Sequence, residues 1–251
     1  MFIKYEEMLL NSKPAPLTSI FEGFMINYGG FEKFTQSIHP LYGRDNKGTH
    51  EKTLRCEDII KSRGFESRYR IVFQNDYKEL DEELFKSGYE RESQGTVKGI
   101  DISNLQRELF TFANFIQNGV YVEEELKDFW LSDYSYLMNI GEYDTKALAD
   151  SIRGGLSKFV YFTLIEENIL LGQGYVTFQE EFMIINNIII NPKYRRLSYG
   201  RRLLMSMLSY GFKQGASIAL ADVFYDDIPS NKLFNKVNFE DIYGYCYRVK
   251  K

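Results

Sequence analysis

The sequence is short of the residues that most often announce a chemistry. Its 251 residues include 2 cysteines, 2 histidines and 1 tryptophan. Cys56 and Cys246 lie in different halves without metal-ligand spacing. Neither a metal site nor a structural disulfide is expected of them, and a reducing, cytoplasmic setting is the simplest inference. His39 and His50 are the only histidines, so no catalytic triad or zinc site is expected. No apolar run approaches the roughly 18–20 residues that span a bilayer. The opening MFIKYEEMLLNSKPAP has acidic residues and no long apolar core, so neither a membrane nor a secretory signal is expected. A net charge of −4 argues against any global affinity for nucleic acid or anionic lipid. GQGYVT (172–177) lacks the third glycine of a dinucleotide fingerprint, and no G-x-x-x-x-G-K-[ST] occurs.

What is present is a folded chain, 44% hydrophobic and 16% aromatic, long enough for one large domain or two of about 100–150 residues. Its most informative stretch is IINPKYRRLSYGRRLL (189–204). Lys193, Arg195, Arg196, Arg201 and Arg202 fall between the apolar run MIINNIII and the amphipathic run GRRLLMSMLSYGF. That pattern predicts a strand, a basic turn and a helix. A helix beginning near Tyr199 points unpaired N–H groups and a positive dipole end at the turn, which suits an anion. Arg195, Arg196 and Arg201 can add charge-assisted hydrogen bonds to phosphate oxygens.

Around it, residues 114–138 read as helix in two pieces broken near Gly119, with Trp130 in the core. KFVYFTLIEE (158–167) and LLGQGYVTFQ (170–179) read as consecutive strands. FMIINNIIINP follows as a third, buried on both faces. Leu203, Leu204, Met207, Leu208 and Phe212 recur at helical spacing. SIALADVF (217–224) and YGYCYRVK (243–250) read as strands on either side of a short helix over Pro229–Lys236.

The N-terminal half repeats these landmarks. SIHPLYGR (37–44) matches IINPKYRR (189–196) at an offset of 152. Phe73 lies nine residues after Gly64, as Phe224 lies nine after Gly215, an offset of 151. FKSGYE (85–90) matches NKVNFE (235–240) at an offset of 150. Such slow drift points to an internal duplication, with a boundary near residue 103, after TVKGIDI.

IIINPKYRRLSYGRRLL resembles the V-x-P-x-[YF]-[RQ]-x-x-G-x-[GA]-x-x-L motif of the GNAT superfamily of N-acetyltransferases. DDIPSNKLFNKVNFE, about 30 residues later, resembles that family's N-x-x-A-x-x-L-Y-x-x-x-G-F. FEGFMINYGGFEKFTQSIHPLY is similar to the opening of tandem GNAT proteins. The resemblance implies an α+β fold in α/β/α layers, made of two tandem GNAT-like domains. Each would be a mixed, mainly antiparallel twisted sheet flanked by helices. Residues 1–103 would be a degenerate copy and residues 104–251 the acetyl-CoA-binding copy. In the degenerate copy the equivalent turn, GRDNKG (43–48), carries Asp45, which would repel a phosphate, and lacks the arginine pair.

The same resemblance assigns coenzyme A to the basic turn, through Arg195, Arg196, Leu197, Ser198, Tyr199, Gly200 and Arg201. Pantetheine would lie along Ile188, Ile189 and Ile190, with Ser230, Asn231 and Phe234 completing the site. Ser198 replaces the family's first glycine. If that position needs a left-handed backbone, the cost is roughly 1–2 kcal/mol. A backbone N–H around Asn187–Ile189 would stabilise the oxyanion. Asn187 occupies a position where relatives often carry an acid; it can orient a water or simply make a structural hydrogen bond. Phe234 replaces the tyrosine that protonates the departing thiolate in many relatives, leaving Tyr225, Tyr243 and Tyr245 as candidate hydroxyls or packing residues. Glu123, Glu124, Glu125, Asp128 and Asp133 are either the acidic wall of an amine pocket or a solvated helix face.

The expected activity is transfer of an acetyl group from acetyl-CoA to a primary amine of a small molecule or peptide, by direct attack on the thioester. No metal, nucleic acid or membrane partner is expected, and a homodimer is possible. A non-catalytic acyl-CoA sensor is the alternative, motivated by Phe234, Asn187 and Ser198. A nucleic-acid-binding role for the Lys193–Arg202 patch is a third reading.

Overall fold

The computed structural model describes residues 2–30, 32–42 and 48–250. The N-terminal half runs α1 (Phe2–Ser12), β1 (Leu17–Phe21), β2 (Phe24–Tyr28), β3 (Ile38–Pro40), α2 (Thr49–Lys61), β4 (Ser67–Val72), α3 (Lys78–Lys86) and β5 (Glu90–Asp101). After α4 (Gln106–Thr111) the second half runs β6 (Val120–Glu123), α5 (Asp128–Met138), α6 (Glu142–Gly154), β7 (Lys158–Glu166), β8 (Ile169–Gln179) and β9 (Phe182–Ile190). It ends with α7 (Tyr199–Lys213), β10 (Ile218–Phe224), α8 (Ile228–Asn235) and β11 (Glu240–Lys250). Short 3-10 turns, such as Pro192–Tyr194, join several of these elements.

Among the described residues, eleven strands form one mixed sheet, in the order β1-β2-β3-β4-β11-β5-β10-β9-β8-β7-β6. Only β3 with β4 and β9 with β10 pair in parallel; the other neighbours are antiparallel. The order β2-β3-α2-β4-α3-β5 recurs as β8-β9-α7-β10-α8-β11, and these elements keep the offsets near 150 seen in the sequence.

The fold is thus the expected α+β arrangement, but the two expected sheets are one. Each half's last strand sits beside the other half's sheet: β11 lies between β4 and β5, while β5 lies between β11 and β10. Cutting the chain at residue 103 would leave β4 without β11 and β10 without β5. Gly95 of β5 permits the crossing. A Cβ there would lie 2.6 Å from the carbonyl oxygen of Val223 and 2.4 Å from the Tyr245 hydroxyl.

Alternation along the strands builds the layers. Val160, Phe162, Leu164 and Val176 pack into one core with Leu203, Leu204, Met207 and Leu208 of α7. Phe159, Tyr161 and Tyr175 face the other way, against Trp130 and Tyr134 of α5 and Ile152 of α6. Trp130 is fully buried and stacks on Tyr134, with ring centroids 4.8 Å apart.

One predicted helix is corrected. Residues 120–123 form strand β6, paired antiparallel to β7 from Val120↔Leu164 to Glu123↔Tyr161. Gly119, at φ +68° and against the carbonyl of Ile165, turns the chain into that strand. Its Val-Tyr-Val sequence suits a half-buried sheet edge better than a helix. The helix begins only at Asp128.

Candidate active site

The site grows from the point where two parallel strands part. β9 and β10 are in register from Phe182↔Ile218 to Ile185↔Ala221 and no further. β9 nevertheless continues to Ile190 and β10 to Phe224, so the facing edges open into a V. At the apex Asn187 adopts φ +44°, and the β8–β9 register slips between Tyr175↔Asn186 and Gln173↔Ile189. This bulge re-aims the following side chains. Ile188 and Ile190 pack against the α7 core, while Ile189 packs on the Trp130 side.

A cavity of about 410 Å³ fills the V. Of the predicted site residues, Asn187, Ile188, Ile189, Ser230 and Phe234 line it. Ile190 lies beyond it, toward α7: a Cβ on Gly200 would be 3.6 Å from Ile190 and 3.5 Å from Leu233 of α8. Gly200 therefore sits where β9, α7 and α8 converge. Asp227 caps α8 by accepting from Ser230 N at 3.0 Å. Asn231 donates to the carbonyls of Phe224 and Asp227 at 2.7 and 2.9 Å, so its side chain ties α8 to β10.

The basic turn takes the expected form. Ser198 precedes α7 at φ +66°, ψ +7°, the left-handed conformation, and its hydroxyl makes no capping hydrogen bond. Arg196 is also left-handed, at φ +68°. Within α7 the first intrahelical bond is Arg202 N to Ser198 O, so the N–H groups before it point outward from the helix start. Arg195 Nε donates to Ile190 O at 3.2 Å, and the Arg201 guanidinium lies 5.8 Å from the Phe112 ring. Leu197 is exposed. Tyr199 donates to Glu166 Oε2 at 2.9 Å, and Arg202 reaches the same carboxylate at 3.4 Å. Those contacts, Tyr199 first, hold Glu166 below its ordinary carboxylate pKa. The counterpart turn of the N-terminal half, including Arg44, Asp45 and Lys47, lies outside the described residues. Its helix α2 also follows a left-handed residue, here Gly48 at φ +76°.

Tyr243 and Tyr245, offered by the sequence as candidate hydroxyls or packing residues, do not line the cavity. Tyr243 donates to Glu6 Oε1 at 2.8 Å. Tyr245 lies under the Arg70 guanidinium, 3.5 Å from its ring centroid. Burial, then a neighbouring carboxylate (Glu6 for Tyr243, Asp222 for Tyr245), raises both hydroxyls' pKa. Both are committed core groups. Tyr247, two residues further on, does reach the cavity; its hydroxyl accepts weakly from Arg70 Nη1 at 3.5 Å. Tyr225 is exposed and lines no part of the cavity. Of the two readings of the acidic run, the contacts suit the solvated face. Glu124 bonds Tyr210 and Lys158, Glu125 bonds Lys127, and Asp128 meets Arg153. None of the predicted acidic set, which also includes Glu123 and Asp133, lines the cavity.

Other carboxylates do. Glu32, from the loop after β2, reaches across the two halves, and its Oε1 accepts from Asn187 Nδ2 at 2.8 Å. Asn187 Nδ2 also donates to Tyr134 OH at 2.9 Å. Asp222 of β10 pairs through Oδ2 with Arg70 Nη1 at 3.3 Å, while its Oδ1 is buried without a hydrogen-bond partner. Arg70 is fully buried and also makes two hydrogen bonds to Glu6, at 2.8 and 3.0 Å. Sequence reasoning missed Glu32, Asp222 and Tyr247. Asp222 lies inside an apolar strand run, and that misplaced charge was the available signal.

Comparison with known proteins bears on the fold. Residues 122–239, just under half of the chain, match the Acetyltransferase (GNAT) family. No curated protein matches the sequence closely enough to be called similar. Among solved structures, a GCN5-related N-acetyltransferase from Kribbella flavida covers 99% of this chain and 95% of its own, at TM-score 0.70 and 8% identity. A tandem GNAT protein from the clavulanic acid biosynthesis pathway covers 90% of this chain and 77% of its own, at TM-score 0.69 and 11% identity. A functionally unknown conserved protein from Staphylococcus epidermidis covers 92% of both chains, at TM-score 0.63 and 9% identity. The chain therefore shares the fold of these structures, a tandem GNAT protein among them, and within it residues 122–239 match the Acetyltransferase (GNAT) family model.

Proposed function

We propose that this protein transfers an acetyl group from acetyl-CoA to a primary amine by direct attack on the thioester. The observation that carries this reading is the V between β9 and β10, with a bulge at its apex and a basic helix start at its outer end. The residues present suit the cosubstrate. The outward N–H groups of α7, with Arg195, Arg196 and Arg201 beside them, favour the pyrophosphate. Beyond Ile185 β9 stays paired to β8, but its edge facing β10 is unpaired and offers main-chain groups to the pantetheine arm. Acetyl-CoA supplies the acyl thioester, and the chain's work is to hold it, place the amine and move a proton.

Asn187 cannot take that proton, but the carboxylate it holds can. Glu32 lies within hydrogen-bond reach of the bulge, and a positioned carboxylate acting as general base contributes typically 10²–10⁴ in rate. The N-terminal half would thus complete the site of the C-terminal one. Isothermal titration with acetyl-CoA, followed by a free-thiol release assay across primary amines, tests the reading. Micromolar binding with amine-dependent thiol release is expected; absence of acetyl-CoA binding at millimolar concentration would overturn it.

The sensor alternative keeps one point in its favour. Phe234 lines the cavity without a hydroxyl, and Tyr247 is engaged with Arg70. Acetyl-CoA binding with no thiol release against any amine would select it.

A further inference from the structure

The Asn187 side chain serves two acceptors with one nitrogen. Its Nδ2 lies 2.8 Å from Glu32 Oε1 and 2.9 Å from the Tyr134 hydroxyl oxygen. A carboxylate accepts and does not donate, so Nδ2 rather than Oδ1 must face Glu32. That nitrogen carries two hydrogens, and the one not on Glu32 is left for Tyr134. The amide is planar. With each hydrogen on a different acceptor, it cannot turn about its own axis without losing both bonds.

The two acceptors are held very differently. Tyr134 of α5 is fully buried, stacked on Trp130 with ring centroids 4.8 Å apart and edge-on to Tyr175 at 6.3 Å. Trp130 is tied in turn to β7, its Nε1–H donating to Phe162 O at 3.3 Å. Burial first, and the Glu32 charge second, raise the Tyr134 pKa, with the Asn187 bond opposing them. The phenol therefore stays neutral near pH 7 and is too weak an acid to serve a proton transfer there. Glu32 has no such scaffold. It lies in the loop after β2, and its side chain makes no capping bond to the 3-10 turn Lys33–Gln36 that it precedes. Among the described residues, its carboxylate accepts a hydrogen bond from Asn187 alone.

We propose that Tyr134 is a positioning residue for Glu32: by taking the second hydrogen of the Asn187 amide, its hydroxyl fixes the first on the carboxylate. This rests on the reading of Glu32 as the base in acetyl transfer. Tyr134 acts only through Asn187 and exchanges no proton with the reacting amine. The aromatic core of the second half supplies the rigidity, and the loop of the first half supplies the carboxylate.

Tyr134→Phe removes one oxygen and keeps the ring that stacks on Trp130. The kcat for amine acetylation is expected to fall about tenfold or more, short of the roughly 10²–10⁴ loss of Glu32→Gln, with acetyl-CoA affinity within about twofold. Asn187→Gly keeps the +44° backbone and removes the amide. In that background Tyr134→Phe should change kcat by less than about twofold, because its effect passes through the missing side chain. A tyrosine that merely supports the fold would lower kcat by the same factor in both backgrounds.

A second readout needs no turnover. In proton–nitrogen spectra the Nδ2 protons of Asn187 are identified by their loss in Asn187→Gly, and the one on Glu32 by its shift in Glu32→Gln. Tyr134→Phe should move that Glu32-bound proton as well as its partner. If Tyr134→Phe does not fold, slow solvent exchange of both protons in the wild type supports the inference. Fast exchange of the one not on Glu32 overturns it. An unchanged kcat beside an impaired Glu32→Gln, or equal losses in both backgrounds, would overturn the inference and leave the base reading standing. Should Glu32→Gln keep full activity, or acetyl-CoA fail to bind at millimolar concentration, that reading fails instead. The spectra then decide by themselves whether Tyr134 holds Glu32.

Discussion

Asn187 Nδ2 donates to Glu32 Oε1 at 2.8 Å across 155 residues of chain. The bond joins the bulge of the second half's parting strands to a loop of the first half. In the proposed mechanism it gives the N-terminal copy a place in the chemistry that its own turn sequence does not suggest.

Replacing Glu32 by Gln keeps an oxygen that can accept from Asn187 but removes the base. Acetyl-CoA affinity should be unchanged within about twofold, while kcat for amine acetylation falls by roughly 10²–10⁴. A steady-state comparison with saturating acetyl-CoA decides it. A kcat within threefold of wild type would remove Glu32 from the mechanism.

Ser198 holds φ +66° without a capping bond from its hydroxyl, so it carries the strain without the compensation a serine cap would provide. Ser198→Gly relieves roughly 1–2 kcal/mol of left-handed strain. If the loop is held in this conformation only when the anion binds, the gain appears as up to about tenfold tighter acetyl-CoA binding. If the conformation is already formed, it appears as a higher melting temperature instead. Calorimetry and thermal unfolding read the two, and a weaker affinity together with a lower melting temperature would contradict the assignment.

Much of this was legible because it is local. Pro192, the arginines and Gly200 mark the turn, and the apolar spacing of α7 marks its buried face. The offsets near 150 matched real pairs of elements, including the left-handed starts at Gly48 and Ser198. What was illegible is non-local. No periodicity says that β11 will sit between β4 and β5. Nor does any pattern say that Glu32, two residues after the paired glycines of YGGFE, will reach a strand 155 residues away. Val120–Glu123 was misread because a four-residue edge strand carries too few residues to outweigh a neighbouring helical pattern.

His39 makes the protein acid-sensitive. It is buried, its Nε2–H donates to Phe34 O at 3.0 Å, and its Nδ1 has no partner. Burial first, and the Arg70 charge second, push its pKa down to about 3. A histidine in the unfolded chain titrates near 6.5. Below that value the unfolded state takes up a proton that the folded state refuses, so stability is intact above pH 6.5 and declines as the pH falls toward 3. The slope is about 1.4 kcal/mol per pH unit, or about 2 kcal/mol between pH 6.5 and 5. Urea unfolding at pH 7 and pH 5 should show that loss in the wild type and a smaller one in His39→Gln. Equal losses would mean that other groups dominate.

Arg70 is the charge on which both halves close. It comes from β4, yet it binds Glu6 of α1 and Asp222 of β10, with Tyr245 of β11 against its face. Burial alone would lower its pKa, but the Asp222 and Glu6 carboxylates outweigh that and raise it. Arg70→Leu leaves two buried carboxylates without their cation and should destabilise the fold by about 3–5 kcal/mol. Adding Glu6→Leu removes one of the orphaned charges, so the double variant should be more stable than Arg70→Leu alone. Denaturant unfolding of the two single variants and the double variant measures this coupling. Additive losses would show that Arg70 and Glu6 act independently, and the closure of the two halves would then have to rest on the apolar packing beneath β11 and β5.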